Sequence, residues 1–158
     1  MKSIFLPDEA ATLQFAARLA RHLPQADAPL VAYLHGDLGA GKTTLTRGLL
    51  QQLGETGPVR SPTYGLVAEY ALATGRVLHL DLYRLADAEE LLALGLADYL
   101  PGSRLWLVEW PERGAAGGLP RADASIWIDV QGEGRTLRLE PHSPLGQHWV
   151  TAVNADEG

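Results

Sequence analysis

The 158-residue chain contains no cysteine. That excludes disulfides, thiolate zinc sites and cysteine nucleophiles together, and it fits a reducing compartment. Lysine is nearly absent too: of 13 basic residues only Lys2 and Lys42 are Lys, and the rest are Arg. The one asparagine is Asn154, followed by Ala155. An Asn-Lys-x-Asp element, whose Asp reads the amino group of guanine, is therefore missing, which argues against a regulatory GTPase. No Gly-x-Ser-x-Gly elbow occurs, and His22, His35, His79, His142 and His148 lie scattered without metal-ligand spacing. Serine-hydrolase and metallohydrolase readings have no support. No apolar run approaches the ~20 residues of a membrane span. There is no Lys/Arg run, and the net charge is −6. A domain that grips nucleic-acid phosphates needs a basic face, so strong direct nucleic-acid binding is not expected. The N-terminal segment turns acidic at Asp8-Glu9, too early for a signal peptide; the expected location is the cytoplasm. The length predicts one domain, residues 1–158, with a real core.

Against this background one stretch stands out: Gly36-Asp37-Leu38-Gly39-Ala40-Gly41-Lys42-Thr43. It follows a short apolar run, Leu30 to Leu34, and precedes a helix-like segment from Thr44 to Leu53. Strand, glycine-rich turn and helix, in that order, are what a phosphate-binding P-loop requires. Gly36, Gly39 and Gly41 free the backbone to aim successive N–H groups inward. The positive end of the next helix adds to that cradle. Lys42 would reach the outer phosphates, and the Thr43 hydroxyl would enter a magnesium shell. A chain that otherwise uses Arg places a Lys at the one position that calls for it.

Around this loop the sequence predicts an α/β fold of the P-loop NTPase type. Its sheet is expected to be mostly parallel and flanked by helices, with a C-terminal antiparallel hairpin. Ile4 to Leu6 reads as a short strand. Asp8 reads as the N-cap of a packing helix that Pro24 stops. Alternation from Leu66 predicts a strand that turns near Thr74-Gly75 into a second, Val77 to Tyr83. Asp87 opens a further helix. Residues 104–109 read as a buried strand, Glu112 to Asp123 as a Gly-rich loop, and Ser125–Val130 with Thr136–Glu140 as the hairpin. A last helix is expected from Ser143 to Val153.

Two of these strands end in a carboxylate, Asp81 and Glu109. An apolar run that delivers an Asp to the sheet's C-terminal edge is what a Walker B element looks like. If both strands run parallel to the strand before the loop, both acids face the phosphate edge. There one can hold Mg²⁺, and the other can complete its shell or orient the attacking water. Thr63, after Ser61-Pro62, is a candidate sensor of the outer phosphate, although such residues are also ordinary loop formers.

Four segments together, GDLGAGKTTLTRG, SPTY, HLDLYRLADAEEL and LVEWPER, resemble the bacterial TsaE (YjeE) family of small ATPases in tRNA threonylcarbamoyladenosine biosynthesis. The resemblance runs from Pro7-Asp8-Glu9 to the hairpin near Arg135. It implies ATP binding and slow, Mg²⁺-dependent hydrolysis, coupled to the TsaD and TsaB proteins, with tRNA engaged through that complex. It matches the phosphate loop to Gly36–Thr44, the magnesium ligands to Thr43 and Glu109, the switch threonine to Thr63 and the Walker B-like aspartate to Asp81. It further implies that Glu9 and Arg135 lie near the adenine. Trp110 is open between core packing and a place beside nucleotide or partner. Two other readings stay in play. One is a small-molecule kinase, with Arg113 and Arg121 as lid arginines; the other is a non-hydrolysing nucleotide-sensing module.

Overall fold

The computed structural model describes residues 3–59, 62, 66–114 and 117–156. The expected strands and helices form. Strand β1 (Ser3–Leu6) leads into α1 (Glu9–Arg21), then β2 (Leu30–His35) and α2 (Lys42–Gln52). β3 (Val67–Leu72), β4 (Gly75–Asp81), α3 (Ala88–Ala93) and β5 (Ser103–Glu109) follow. The chain closes with β6 (Ala124–Gln131), β7 (Gly134–Pro141) and α4 (Pro144–Ala155). Short 3₁₀ turns occupy Leu96–Tyr99 and Pro111–Gly114, the second inside the segment expected to be plain loop.

One seven-stranded sheet runs in the order β1-β7-β6-β2-β5-β4-β3. Its four middle strands are parallel: β2 pairs with both β5 and β6, and β4 pairs with β5. The flanks are antiparallel, through β1–β7, β6–β7 and β3–β4. The sheet is therefore mixed rather than mostly parallel. Two flanking pairs are hairpins closed by two-residue turns, Ala73-Thr74 and Gly132-Glu133, and such short links permit only antiparallel pairing.

Burial explains the strand sequences. On one face α1, α2 and α4 pack Phe15, Leu19, Leu45, Leu49 and Trp149 over Leu30, Leu34, Leu107, Ile126 and Leu137. On the other, Leu91 of α3 and Leu96 cover Leu78, Leu80, Trp106 and Val108. Strands covered on both sides carry continuous apolar runs, as in Leu105–Val108.

The helix ends follow local chemistry. The side chains of Asp8, Asp87 and Ser143 accept from Ala11, Glu90 and Gly146 N–H groups and cap α1, α3 and α4. α2 has no side-chain cap; its N-cap is Gly41 in the left-handed region, and it starts at Lys42, two residues before the expected Thr44. Gly54 (φ +116°) ends it as expected, with the Glu55 N–H closing on the Leu50 carbonyl. The C-terminal stretch is fastened to α1: the Trp149 indole N–H donates to the Leu19 carbonyl at 2.9 Å, and the Arg18 guanidinium donates to the Val153 carbonyl at 2.6 and 2.9 Å.

The approach of α1 to α2 rests on Gly48. A Cβ there would sit 2.7 Å from the Ala16 Cβ and 3.3 Å from the Leu13 Cα. Gly→Ala inside an exposed helix ordinarily stabilises by up to ~1 kcal/mol. Gly48→Ala is instead expected to destabilise by about 1–3 kcal/mol, because the helices must separate. Urea unfolding measures this, and a stabilised variant would contradict the packing account.

Candidate functional site

The parallel pairing of β2, β5 and β4 sets the site. Asp81 and Glu109 stand opposite each other in register, and Glu109 also pairs with Leu34, just before the glycine-rich loop. Both carboxylates thus end their strands at one edge, as the apolar runs predict. Gly36 leaves β2 where only a glycine fits, since a Cβ would lie 2.7 Å from the Ile128 carbonyl oxygen. The Ala40 N–H then donates to the Asp37 carbonyl at 3.0 Å, closing a turn. Gly39 and Gly41 take φ of +80° and +114°, which side chains with a Cβ disfavour.

This turn aims the start of α2 and its first residue into the edge. A cavity of about 240 Å³ is lined by Leu38, Gly39, Gly41, Lys42, Thr43, Thr44, Asp81, Glu109 and Trp110. It therefore gathers the loop, the lysine, the hydroxyl and both carboxylates. A neighbouring cavity of about 260 Å³ is lined by Leu6, Asp8, Glu9, Thr12, Gly41, Thr44, Glu133, Gly134 and Arg135. Gly41 and Thr44 border both, so Glu9 and Arg135 sit across the α2 N-terminus from the carboxylates. Thr63 lies outside the described residues.

The electrostatics are tightly drawn. Lys42 is buried, and its ammonium donates to the Gly36 carbonyl at 2.5 Å and rests 3.9 Å from the Trp110 ring centroid. Burial pushes its pKa down, against the opposing pull of Glu109 and then Asp81. Burial likewise pushes the Asp81 carboxyl up, with the Glu109 charge acting in the same direction. The Tyr83 N–H, donating to Asp81 Oδ1 at 3.1 Å, works the other way. Glu109 is only 3% exposed, and its Oε2 meets His79 Nε2 at 2.5 Å.

Two residues do more than their sequence context suggests. Trp110, left open between core and site, lines the cavity from a left-handed backbone (φ +56°), a strained conformation for a bulky residue. Its ring touches Tyr83, with centroids 5.0 Å apart, and the Arg113 guanidinium lies over both rings. Arg135 clasps the loop as well as lining the second cavity: Nε donates to the Ala40 carbonyl at 2.7 Å and Nη2 to that of Gly39 at 3.4 Å. Glu9 is tied to α2 by Arg47 at 2.6 Å. His79 is the participant that sequence spacing missed, because a lone histidine inside an apolar strand reads as core.

Three side chains at this edge could hold a cation. Thr43, Asp81 and Glu109 offer hard oxygens of the kind magnesium takes. Among the described residues no group of three or more His, Cys, Asp or Glu side chains could hold a metal.

Asp81 also yields a stability prediction. An acid whose pKa is raised by folding binds its proton more tightly in the folded state, so stability falls as pH rises through the window above the ordinary carboxylate value, roughly 4. Asp81→Asn keeps the Oδ1 acceptor for Tyr83 and removes the charge. The ligand-free variant is expected to melt above wild type at pH 7, with the gap narrowing toward pH 4. Calorimetry across that range checks it; a variant that melts lower at pH 7 would contradict the burial argument.

Comparison with known proteins identifies the family. The family model described as "Threonylcarbamoyl adenosine biosynthesis protein TsaE" matches residues 6–138. The chain is 45% identical over 152 residues to the tRNA threonylcarbamoyladenosine biosynthesis protein TsaE of Haemophilus influenzae, covering 95% of this chain and 96% of that one. It is 42% identical over 119 residues to the protein of the same name from a Synechocystis species, covering 69% of each. In three dimensions it resembles the crystal structure of Bacillus subtilis YdiB, with a TM-score of 0.80 at 25% identity over 99% of this chain and 96% of that one. The chain belongs to the TsaE family.

Proposed function

We propose that this protein takes part in tRNA threonylcarbamoyladenosine biosynthesis as an ATP-binding, Mg²⁺-dependent ATPase, built as one P-loop domain. The observation that carries the reading is the cavity that gathers Lys42, Thr43, Asp81 and Glu109 at the end of a glycine-rich loop. A desolvated ammonium held near two carboxylates and on the Gly36 carbonyl is suited to exchange those contacts for phosphate oxygens. The uncapped start of α2 is equally suited to an anion, since its first N–H groups point along the axis toward the loop.

In this mechanism the amides from Gly36 to Thr44 and Lys42 hold the β- and γ-phosphates. Thr43 and Glu109 would hold Mg²⁺, which would supply neutralisation of charge developing on the phosphate oxygens. Asp81 supports the metal shell or orients the attacking water. Water adds to the γ-phosphorus as its bond to the β–γ bridging oxygen breaks, releasing ADP and phosphate. Glu9 and Arg135 border the adenine, in the cavity across Gly41 and Thr44. Thr63 senses the γ-phosphate, a role that rests on its sequence context alone. TsaD and TsaB are the proposed partners, with tRNA engaged through them in the cytoplasm. The chain's acidity supports that division of labour. Among the described residues no helix is long and apolar enough to cross a membrane.

The test is Mg²⁺-dependent phosphate release from ATP, with and without TsaD, TsaB and tRNA. Release that rises with the partners and accompanies modified tRNA is the expected result. A phosphorylated acceptor would mark a kinase, and nucleotide-dependent partner binding without release a sensing module. Lys42→Ala is expected to abolish ATP binding. Glu109→Ala is expected to lower turnover at least ~100-fold while changing ATP affinity far less. Unchanged turnover in either variant overturns the site assignment.

A further inference from the structure

Glu109 raises a question that the nucleotide reading leaves unanswered: what holds a buried carboxylate in one orientation at the end of β5? The answer lies one strand away. His79 belongs to β4, two residues before Asp81, so the two side chains share the face of the sheet that α2 covers. His79 is fully buried, at 0% exposure, and its Nε2 lies 2.5 Å from Glu109 Oε2. With an ionised carboxylate as acceptor, the hydrogen of that bond sits on Nε2. The other ring nitrogen, Nδ1, is buried with no hydrogen-bond partner among the described residues.

A fully buried imidazole that satisfies one nitrogen and leaves the other unpaired is a poor choice for filling a core. Leu or Met of similar volume would avoid the cost of an unmatched buried polar atom. The stabilising return must come from Glu109, which at 3% exposure also needs a partner. The pair is asymmetric. One carboxylate oxygen is taken by His79, while Glu109 still lines the cavity shared with Lys42, Thr43 and Asp81. Carboxylates that ligate metals are commonly fixed by a second hydrogen bond of this kind, and loss of the outer partner typically weakens metal binding.

We propose that His79 is a positioning residue: it pins one oxygen of Glu109 so that the carboxylate presents its other oxygen to the divalent cation of the site. The inference rests on the magnesium reading of Glu109 and adds to it the device that sets the ligand's orientation. His79 acts through Glu109, without touching nucleotide.

Two variants separate positioning from packing. In His79→Gln the side-chain amide can reach the place of Nε2 and still donate to Glu109. In His79→Asn the amide reaches only the place of Nδ1 and loses that bond. Both are polar and similarly disturbing to the core, and circular dichroism verifies that each folds. The probe is Mn²⁺, its affinity for the protein–ADP complex read by electron paramagnetic resonance, beside ADP affinity in EDTA. The expected result for His79→Asn is a Mn²⁺ affinity lowered roughly 10–100-fold with metal-free ADP affinity unchanged. His79→Gln should stay within about threefold of wild type, far inside that loss. Glu109→Gln serves as the control. Weakened Mn²⁺ binding in Glu109→Gln but wild-type binding in His79→Asn overturns the positioning role alone. Equal loss in both His79 variants overturns it too, by reducing His79 to packing. Wild-type binding in Glu109→Gln overturns the metal reading on which the proposal stands.

Discussion

Burying Glu109 at the end of β5 is the constraint on which the rest of the site depends. A carboxylate at 3% exposure is tolerable only with partners arranged around it, and the fold supplies them from separate elements. His79 comes from β4 and Lys42 from the first turn of α2, and they offset the like charge of Asp81, which stands opposite in register. Parallel pairing of β2, β5 and β4 is what makes the three strand ends coincide. Shifted by one residue, β4 or β5 would send its carboxylate to the opposite face.

Charge balance then links stability to function. Asp81 and Lys42 both sit where burial opposes their charged forms, and each is favoured partly by the other's presence. Trp110 adds backbone strain at the same place, with its ring under the ammonium. Strain and desolvation concentrated in one cavity are features that functional sites retain and packed cores shed. The remaining architecture is ordered to carry that load: α1 and α2 approach through Gly48, and Arg135 braces the loop by its carbonyls.

Much of this was legible in the residues. The loop announces itself through glycines at positions that need positive φ or close approach, and the strand ends through apolar runs closed by a carboxylate. The helix caps Asp8, Asp87 and Ser143 follow local rules and needed no tertiary knowledge. What escaped was non-local. The pairing of β1 with β7 joins segments separated by most of the chain, so no local pattern encodes the mixed sheet. The docking of α4 onto α1 through Trp149 and Arg18 is invisible for the same reason. His79 looked like one of several stray histidines, because its meaning lies in a residue thirty positions away on the next strand. Arg135 was placed near the base by resemblance alone; its grip on the loop depends on how the hairpin packs. Thr63 falls outside the described residues, and its role still rests on sequence.

The most direct test of the central claim is a crystal structure of the protein with Mg²⁺ and a non-hydrolysable ATP analogue. The account predicts the β- and γ-phosphates within the loop from Gly36 to Thr44, with Lys42 withdrawn from the Gly36 carbonyl onto them. It also predicts Mg²⁺ between Thr43 and Glu109, with the base beside Glu9 and Arg135. A nucleotide bound elsewhere, or phosphates in the loop with Glu109 and Asp81 left remote from the metal, would contradict it.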